Sequence, residues 1–234
     1  MNTNISKKLI NKIIDNINFC KKKGMIIASP SDDPPYKFHW IRDVSIVMRA
    51  IVNSYKNKKD PKYFNLIINY LENEFYVQNL DTICGLGEPK VNIDGTPFNE
   101  PWGRPQNDGP ALRGILLFEI YDLFEKDYPN ILNNLVVPMI SKDINYIVEN
   151  LNKTSFDLWE EIKGWHFYTR FVQLKFLKEY ISHSKDNCSF NKKIDNIYLN
   201  FKNNIKDHIC NDYLISSFNE YGHIVRVNDA SLLL

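Results

Sequence analysis

Three carboxylates and a tryptophan lie within five consecutive residues of one segment of the chain. They are Asp157, Trp159, Glu160 and Glu161, in the stretch Ser-Phe-Asp-Leu-Trp-Glu-Glu-Ile-Lys-Gly at residues 155–164. Acidic side chains are favoured at the N-terminus of a helix, where they complement the helix dipole. Carboxyl groups can also carry out general acid–base chemistry. Composition alone favours the helix N-terminus and leaves the catalytic interpretation open.

Aromatic and charged residues also recur in the loops between the predicted helices, at Tyr36, Trp40, Arg42, Asp43, Trp102, Arg104 and Asp108. Indole rings stack on the apolar faces of sugar rings, and charged side chains hydrogen-bond to sugar hydroxyl groups. These residue types therefore point to a neutral carbohydrate as the ligand. Structural interpretations stay open at this stage. Trp40 with Arg42 and Asp43 also fits a core indole beside an ion pair, and Trp102 also fits a tightly packed turn.

Glycoside hydrolysis would require two carboxyl groups at such a site. A carboxylic acid stands near the leaving oxygen, and a carboxylate stands on the opposite face of the sugar. From chain order, the only carboxylates expected near Glu160 are Asp157 and Glu161. Neighbours on one turn approach a sugar from the same side as Glu160, so neither is well placed to act as the opposing base.

The overall charge favours a neutral partner. The chain has 234 residues, of which 44% are hydrophobic and 13% aromatic, so a sizeable core can be buried. There are 29 Lys and Arg residues against 28 Asp and Glu residues, which leaves a net charge of +1. That balance provides no field to attract nucleic acid or an anionic membrane surface. We therefore expect neither as a partner.

The cysteines and the N-terminal segment indicate the compartment. Cys20, Cys84, Cys188 and Cys210 form no Cys-x-x-Cys pair and no cluster with histidine, so we expect no metal and no other cofactor. No segment resembles a signal peptide, and no apolar run approaches the roughly 20 residues of a membrane span. The sequence as written predicts a cytoplasmic chain, whereas a different true N-terminus would fit a secreted or vacuolar protein.

Helical periodicity dominates the chain and predicts one mostly α-helical domain over residues 1–234. The long loops at 29–36 and 85–110 each precede a helix, so they are expected to gather at one end of the helical assembly. Only 213–227 resembles a pair of strands. Apolar stripes mark helices at 5–17, 44–55, 63–71, 111–124, 131–151, 167–180 and 194–209.

Several strings of residues together resemble the glucoamylases of glycoside hydrolase family 15. These are Ile-Ala-Ser-Pro-Ser (27–31), Trp-Ile-Arg-Asp (40–43), Gly-Leu-Gly-Glu-Pro-Lys-Val-Asn-Ile-Asp-Gly-Thr (85–96) and Pro-Trp-Gly-Arg-Pro-Gln-Asn-Asp-Gly-Pro-Ala-Leu-Arg (101–113). Asp-Leu-Trp-Glu-Glu at 157–161, with Gly164, resembles the acidic signature of that family. The resemblance extends from about Gly24 to the last residue, with the strings in the same order.

The resemblance implies an activity and a fold. Glucoamylases are inverting exo-glucosidases that release glucose from the non-reducing ends of α-1,4-glucans such as starch, glycogen and maltooligosaccharides. Their catalytic domain is an all-α (α/α)6 toroid. The implied partner of this chain is therefore an α-glucan or a maltooligosaccharide.

The resemblance also implies roles for single residues. Glu160 would be the general acid, and Asp157 would support it electrostatically. Arg42 and Asp43 would bind hydroxyl groups of the terminal glucose, which makes such an enzyme exo-acting. Trp102 would stack on substrate and hydrogen-bond near the acid. The remaining substrate-binding positions would be Tyr36, which would hold the general base, and Trp40, Leu158, Trp159 and Glu161.

One part of the family pattern is not found in these residues. The general base of glucoamylases is a second glutamate far downstream, and a further arginine of the sugar site also lies there. The final string Val-Asn-Asp-Ala-Ser-Leu-Leu-Leu resembles the start of a core helix. We therefore expect an incomplete toroid, the N-terminal half of a catalytic domain whose partner is the missing C-terminal half, with little or no turnover on its own.

Two other functional classes compete with a glucoamylase. One is a catalytically silent α-glucan-binding or regulatory relative, and the other is a purely structural helical protein. Glu160, Arg42, Asp43 and Trp102 occur together, which favours the enzyme because a binding or structural chain does not need the acid. The structural class is the least favoured of the three.

Overall fold

The computed structural model describes residues 3–184 and 189–233, and helices dominate this part of the chain. A π-helical segment, Leu132–Val136, joins the fifth and sixth helices. No helix within the described ranges is long and apolar enough to cross a membrane. In chain order the α-helices are α1 (Thr3–Ile17), α2 (Ile41–Lys58), α3 (Pro61–Val77), α4 (Asp108–Phe124), α5 (Pro129–Ile131), α6 (Val137–Asn150), α7 (Phe167–His183) and α8 (Ser189–Asn204).

The strands are short and form three small sheets. They are β1 (His39–Trp40), β2 (Lys90–Val91), β3 (Ser155–Phe156), β4 (Lys163–His166), β5 (Ile209–Cys210), β6 (Tyr213–Leu214), β7 (Ser217–Asn219) and β8 (Ile224–Arg226). β1 pairs with β2, β5 pairs with β6, and the largest sheet has the order β3-β4-β7-β8. All of these pairs are antiparallel.

The apolar periodicity located the helices, and the structure corrects the region after the last of them. The helix predicted at 194–209 ends at Asn204, and a 3₁₀ turn and β5 follow. The strand pair predicted over 213–227 was wrong in part, because β6 pairs with β5 while β7 pairs with β8. Asn211 has a φ of 53° and so permits the tight turn between β5 and β6.

Helix α4 lies at the centre of the core. It packs between α2 and α7 and also contacts α6. Every residue from Asp108 to Phe118 is buried, as expected for a helix that is surrounded by others. Gly114 allows close contact with α7, since a Cβ atom there would lie 2.2 Å from the ring of Phe176. Helices α2 and α4 follow the two long loops predicted at 29–36 and 85–110.

A buried network of charged side chains ties the helices to the start of α2. Arg113 on α4 donates to Asp143 on α6 at 3.0 and 2.6 Å and to Glu74 on α3 at 3.1 Å. The other oxygen of Glu74 lies 2.6 Å from Nε2 of His39, whose Nδ1 accepts the backbone N–H of Ile26 at 3.0 Å. Because Nδ1 is an acceptor, Nε2 carries the proton and donates to Glu74. The network therefore fixes β1, the strand that leads into α2.

Candidate active site

The acidic segment forms a turn between β3 and β4, so its interpretation as a helix N-terminus was wrong. Ser155 pairs with Gly164, and Gly164 also pairs with Asn219 of β7. A Cβ atom at Gly164 would lie 1.9 Å from the carbonyl oxygen of Phe218. Glycine therefore permits the close approach of β4 and β7, and strand pairing takes the place of the helix that composition favoured.

Asp157 closes this turn. Its Oδ1 accepts the backbone N–H groups of Glu161 at 2.8 Å and Ile162 at 3.0 Å. Its Oδ2 accepts from Nη1 of Arg226 at 2.7 Å. Asp157 is only 2% exposed, so its carboxylate is committed to holding the turn and does not face solvent.

Glu160 has a strained backbone and a side chain that is held through one oxygen. Its φ is 65°, in the left-handed region, which costs a residue other than glycine about 1–3 kcal/mol and persists only where the surrounding contacts impose it. Oε1 accepts from the indole Nε1 of Trp40 at 2.7 Å and from Nε2 of Gln106 at 2.8 Å. Within the described residues no group hydrogen-bonds to Oε2. The geometry therefore presents one free carboxyl oxygen.

Glu160 lines a cavity of about 300 Å³. Seven of the ten predicted site residues line the cavity, whereas Trp102, Asp157 and Glu161 do not. Within the described residues, no three histidine, cysteine or acidic side chains form a group that could hold a metal ion. The predicted residues that line the cavity are Tyr36, Trp40, Arg42, Asp43, Leu158, Trp159 and Glu160.

Arg42 occupies the wall of the cavity at the start of α2. Its Nη1 donates to Oε1 of Gln106 at 2.8 Å and to Oδ2 of Asp108 at 3.2 Å. Its Nε lies 3.5 Å from Oδ2 of Asp43. Burial raises the pKa of Asp43, an effect that Arg42 opposes and Asp108 reinforces. Gln106 thus joins this wall to Glu160, because it also donates to the Glu160 carboxylate.

The carboxylates near Glu160 were therefore predicted incompletely. Asp157 and Glu161 are chain neighbours, but Asp43 lines the same cavity and interacts electrostatically with Glu160. Asp108 lies behind it, bound to Arg42. The expectation failed because the start of α2 and the start of α4 bring these carboxylates to the turn from distant parts of the chain.

Trp102 belongs to an aromatic box beside the cavity. Its ring centroid lies 6.5 Å from that of Trp40, and the Nζ atom of Lys90 lies 3.1 Å from its centroid. Phe38, Trp40 and Phe98 surround the same ammonium group at 4.2 to 4.5 Å. Nζ finds no hydrogen-bond partner among the residues that the structure describes, and burial lowers the pKa of Lys90 to about 8. The indole that hydrogen-bonds to Glu160 is that of Trp40, and the role implied for Trp102, stacking on substrate and hydrogen-bonding near the acid, stays a prediction.

The remaining predicted residues lie at the rim of the cavity. The ring of Trp159 is 50% exposed, and its Nε1 donates to both carboxylate oxygens of Asp229, at 3.1 and 2.9 Å. Tyr36 lies edge-on to Trp40 with ring centroids 5.9 Å apart. Glu161 points outward, where its carboxylate binds Arg226. Two aromatic faces are thus available at the entrance.

Gln106, Lys90 and Arg226 were missed by the sequence analysis. Gln106 and Lys90 lie inside the strings at 101–113 and 85–96 that carried the family resemblance, so those strings were the available signal. Arg226 is the one charged residue in His-Ile-Val-Arg-Val, where an isolated charge on a predicted strand is a weak signal. The contacts of Gln106 with Glu160, and of Arg226 with Asp157 and Glu161, each join residues more than fifty positions apart, and no spacing rule connects them.

Comparison with known proteins agrees with this geometry. The sequence model of the family described as "Glycosyl hydrolases family 15" matches residues 6–231. Glucoamylase-1 of Arthroderma benhamiae is 40% identical over 169 residues, which is 69% of this chain and 28% of the relative. The intracellular sporulation-specific glucoamylase of Saccharomyces cerevisiae is 34% identical over 202 residues, 76% of this chain and 36% of the relative. The chain thus spans about a quarter to a third of the length of these relatives.

Solved structures give the same result for the fold. The family 15 glucoamylase of Hypocrea jecorina aligns with a TM-score of 0.81 and 28% identity, covering 92% of this chain and 40% of that protein. The glucoamylase of Hormoconis resinae aligns with a TM-score of 0.80 and 26% identity, covering 92% of this chain and 39% of that protein. The predicted all-α fold, a part of an (α/α)6 toroid, is confirmed, as is the resemblance. The chain therefore belongs to glycosyl hydrolases family 15.

Proposed function

We propose that the natural protein containing this chain is a glucoamylase that releases glucose from the non-reducing ends of α-1,4-glucans. The observation that carries the proposal is the setting of Glu160. One of its oxygens is held by Trp40 and Gln106, and the other is free beside a cavity that also contains Arg42 and Asp43. The similar proteins named glucoamylase support the same activity.

Glu160 acts as the general acid. Because Oε1 already accepts two N–H donors, a proton on the carboxyl group resides on Oε2. From Oε2 it transfers to the glycosidic oxygen as the bond to the leaving sugar breaks. Trp40 and Gln106 then stabilise the carboxylate that remains, since both donate to it.

Arg42 and Asp43 select the end of the glucan. Arg42 is already oriented by Gln106 and Asp108, so its remaining N–H donors and the Asp43 carboxylate are available to the hydroxyl groups of a terminal glucose. Trp40 and Leu158 line the cavity beside the apolar ring faces. Trp102 and Trp159 extend this aromatic surface toward the leaving sugar, where Glu161 supplies a carboxylate.

Asp157 supports the acid through the turn that it closes. Inversion requires a second carboxylate about 6.5–9.5 Å away that activates water on the opposite face. Asp43 and Asp108 are paired with Arg42, and Asp157 and Glu161 with Arg226. We infer that the base is a carboxylate outside residues 1–234, held near Tyr36, and that residues 1–234 form one part of a single catalytic domain.

Glucose release from maltose and soluble starch tests the proposal. We expect the natural protein to release β-glucose, and Glu160→Gln to reduce the rate by about 10²- to 10⁴-fold because an amide cannot donate the proton. Glu149→Gln, an exposed change on α6, is the matched control and should retain full activity. Residues 1–234 alone should show little or no turnover.

Other outcomes would overturn the proposal. Maltose binding without glucose release would identify a silent glucan-binding relative. Undiminished release by Glu160→Gln would exclude Glu160 as the acid. Robust β-glucose release by residues 1–234 alone, abolished by Glu160→Gln, would show that the base lies inside these residues.

A further inference from the structure

A single guanidinium group connects three carboxylates behind the turn that carries Glu160. Arg226 on β8 donates through Nη1 to Asp157 at 2.7 Å and to Asp229 at 3.2 Å. Its Nη2 donates to Glu161 at 2.5 Å. Asp157 and Glu161 stand on either side of Glu160 in the chain, so Arg226 hydrogen-bonds to the turn both before and after Glu160.

The third carboxylate, that of Asp229, links Arg226 to Trp159 at the rim of the cavity. Asp229 accepts from the indole N–H of Trp159 and from the backbone N–H of Ser231 at 2.7 Å. Asp229 and Arg226 both follow β7, so the turn is tied to a part of the chain that is remote in sequence. The position of Trp159 therefore depends on the same group as the position of Glu160.

The turn requires such a constraint. The left-handed backbone of Glu160 is costly and persists only where neighbouring contacts impose it. Three carboxylates around one point would repel one another without a cation between them. The side chains of Asp157 and Asp229 are only 3% and 6% exposed, so water screens that repulsion weakly.

We propose that Arg226 is a positioning residue that holds the 157–161 turn against the β7–β8 hairpin and thereby aims Glu160 at the cavity. The planar guanidinium fork spans Asp157 and Glu161 at once, which the single ammonium of a lysine cannot reproduce. This inference rests on the proposed role of Glu160 as the acid. It assigns to Arg226 an effect on turnover, beyond any effect on folding.

Kinetic constants separate positioning from simple stabilisation. The experiment uses the natural protein with Arg226→Gln and Arg226→Lys, assayed on maltose well below the melting temperature of each variant. Lys163→Gln is the matched control, because Lys163 lies 3.4 Å from Glu220 and links β4 to the turn of the same hairpin through exposed side chains only. Glu160→Gln is measured in parallel.

We expect Arg226→Gln to lower kcat by about 100-fold, the loss typical of a reacting group displaced by about 1 Å. KM should change less than kcat, because Arg42 and Asp43 bind the terminal glucose from α2, and only Trp159 and Glu161 at the leaving sugar depend on Arg226. The kcat of Arg226→Lys should lie between those of Arg226→Gln and the unmodified protein. The kcat of Lys163→Gln should equal that of the unmodified protein. The inference would be overturned if Arg226→Gln had a kcat within twofold of that of the unmodified protein and a lower melting temperature. Arg226 would then have a purely structural role.

The parallel variant locates any failure. Loss of activity in Glu160→Gln with unchanged kcat in Arg226→Gln would overturn the positioning role alone and leave the acid in place. Full activity in Glu160→Gln would overturn the proposed function and, with it, the role of Arg226.

Discussion

Trp40, Arg42 and Asp43 stand at the start of α2, whose inner face packs in the core, whereas Glu160 stands on a turn between two short strands. The first wall of the cavity continues into the core through Val44 and Met48 and is preceded by a strand that the Arg113 network fixes. The second wall is held by the contacts of Asp157 and Arg226 around a strained backbone. The first wall, which we propose binds the sugar (the binding wall), therefore depends on core packing, whereas Glu160, the proposed acid, depends on a few charged contacts.

The two walls should respond differently to mutation. A change in the network behind α2 removes stability from the whole helical core. A change in the contacts behind the turn displaces one carboxyl group and leaves the core intact. Measurements of unfolding free energy and of kinetic constants therefore test this distinction.

The largest effect on stability is expected at Arg113. Arg113→Met leaves Glu74 and Asp143 buried without their cation, and removing one partner of a buried ion pair costs about 3–5 kcal/mol. Urea unfolding measures this change in unfolding free energy. Arg49→Met, which breaks the more exposed pair with Glu119, is the control and should cost less than about 1 kcal/mol. Equal losses in the two variants would mean that the buried network does not support the core.

The largest kinetic effect at the binding wall is expected at Arg42. Arg42→Gln removes charged hydrogen bonds to the sugar, and a loss of about 3 kcal/mol corresponds to a kcat/KM about 100-fold lower. Most of that loss should be in KM, in contrast to Arg226→Gln. Maltose kinetics provide the measurement, and Arg49→Gln on the same helix is the control. A loss confined to kcat would contradict the division between the two walls.

A smaller effect is expected where the turn meets the hairpin. In Gly164→Ala the new Cβ would clash with the carbonyl oxygen of Phe218, and overpacking of this kind costs about 1–3 kcal/mol. Gly222→Ala is the comparison, since its Cβ meets nothing within 4 Å and only its φ of 82° opposes the change. Thermal unfolding should rank Gly164→Ala below Gly222→Ala. The reverse order would show that β4 and β7 separate without cost.

A pH dependence of stability is expected at the aromatic box. Burial lowers the pKa of Lys90 to about 8, against roughly 10.4 for an exposed lysine. Between these values the unfolded chain holds a proton that the folded chain has released, so the unfolding free energy rises with pH across this window. Lys90→Met should lose that rise, which unfolding curves at pH 7.5 and 10.5 measure. An identical rise in unfolding free energy in Lys90→Met and in the unmodified protein would show that a group other than Lys90 titrates.

The helices and most of the cavity could be predicted from the sequence. Apolar patterns are local, so α2 followed from residues such as Val44 that recur on one face, and α4 followed from its high content of apolar residues. The family strings identified Glu160 and Arg42 because each string is contiguous in the chain. Such patterns can be recognised in a short stretch of sequence, without knowing which distant residues each side chain contacts.

The contacts that hold the acid could not be predicted in this way. The turn at 157–161 exists because β4 pairs with β7, more than fifty residues later, and composition alone favoured a helix there. Arg226 and Gln106 act on Glu160 or its neighbours across similar separations. A buried lysine among four aromatic rings is unusual on composition grounds, so Lys90 gave no signal.

The central claim, that Glu160 donates the proton to the leaving oxygen, is tested most directly by changing the leaving group. Maltose needs protonation of its leaving oxygen, whereas the fluoride of α-glucosyl fluoride departs without a proton. In the natural protein we expect Glu160→Gln to lose about 10²- to 10⁴-fold on maltose and less than about tenfold on α-glucosyl fluoride. Equal losses on the two substrates would contradict a general acid at Glu160 and would assign the residue to binding or folding.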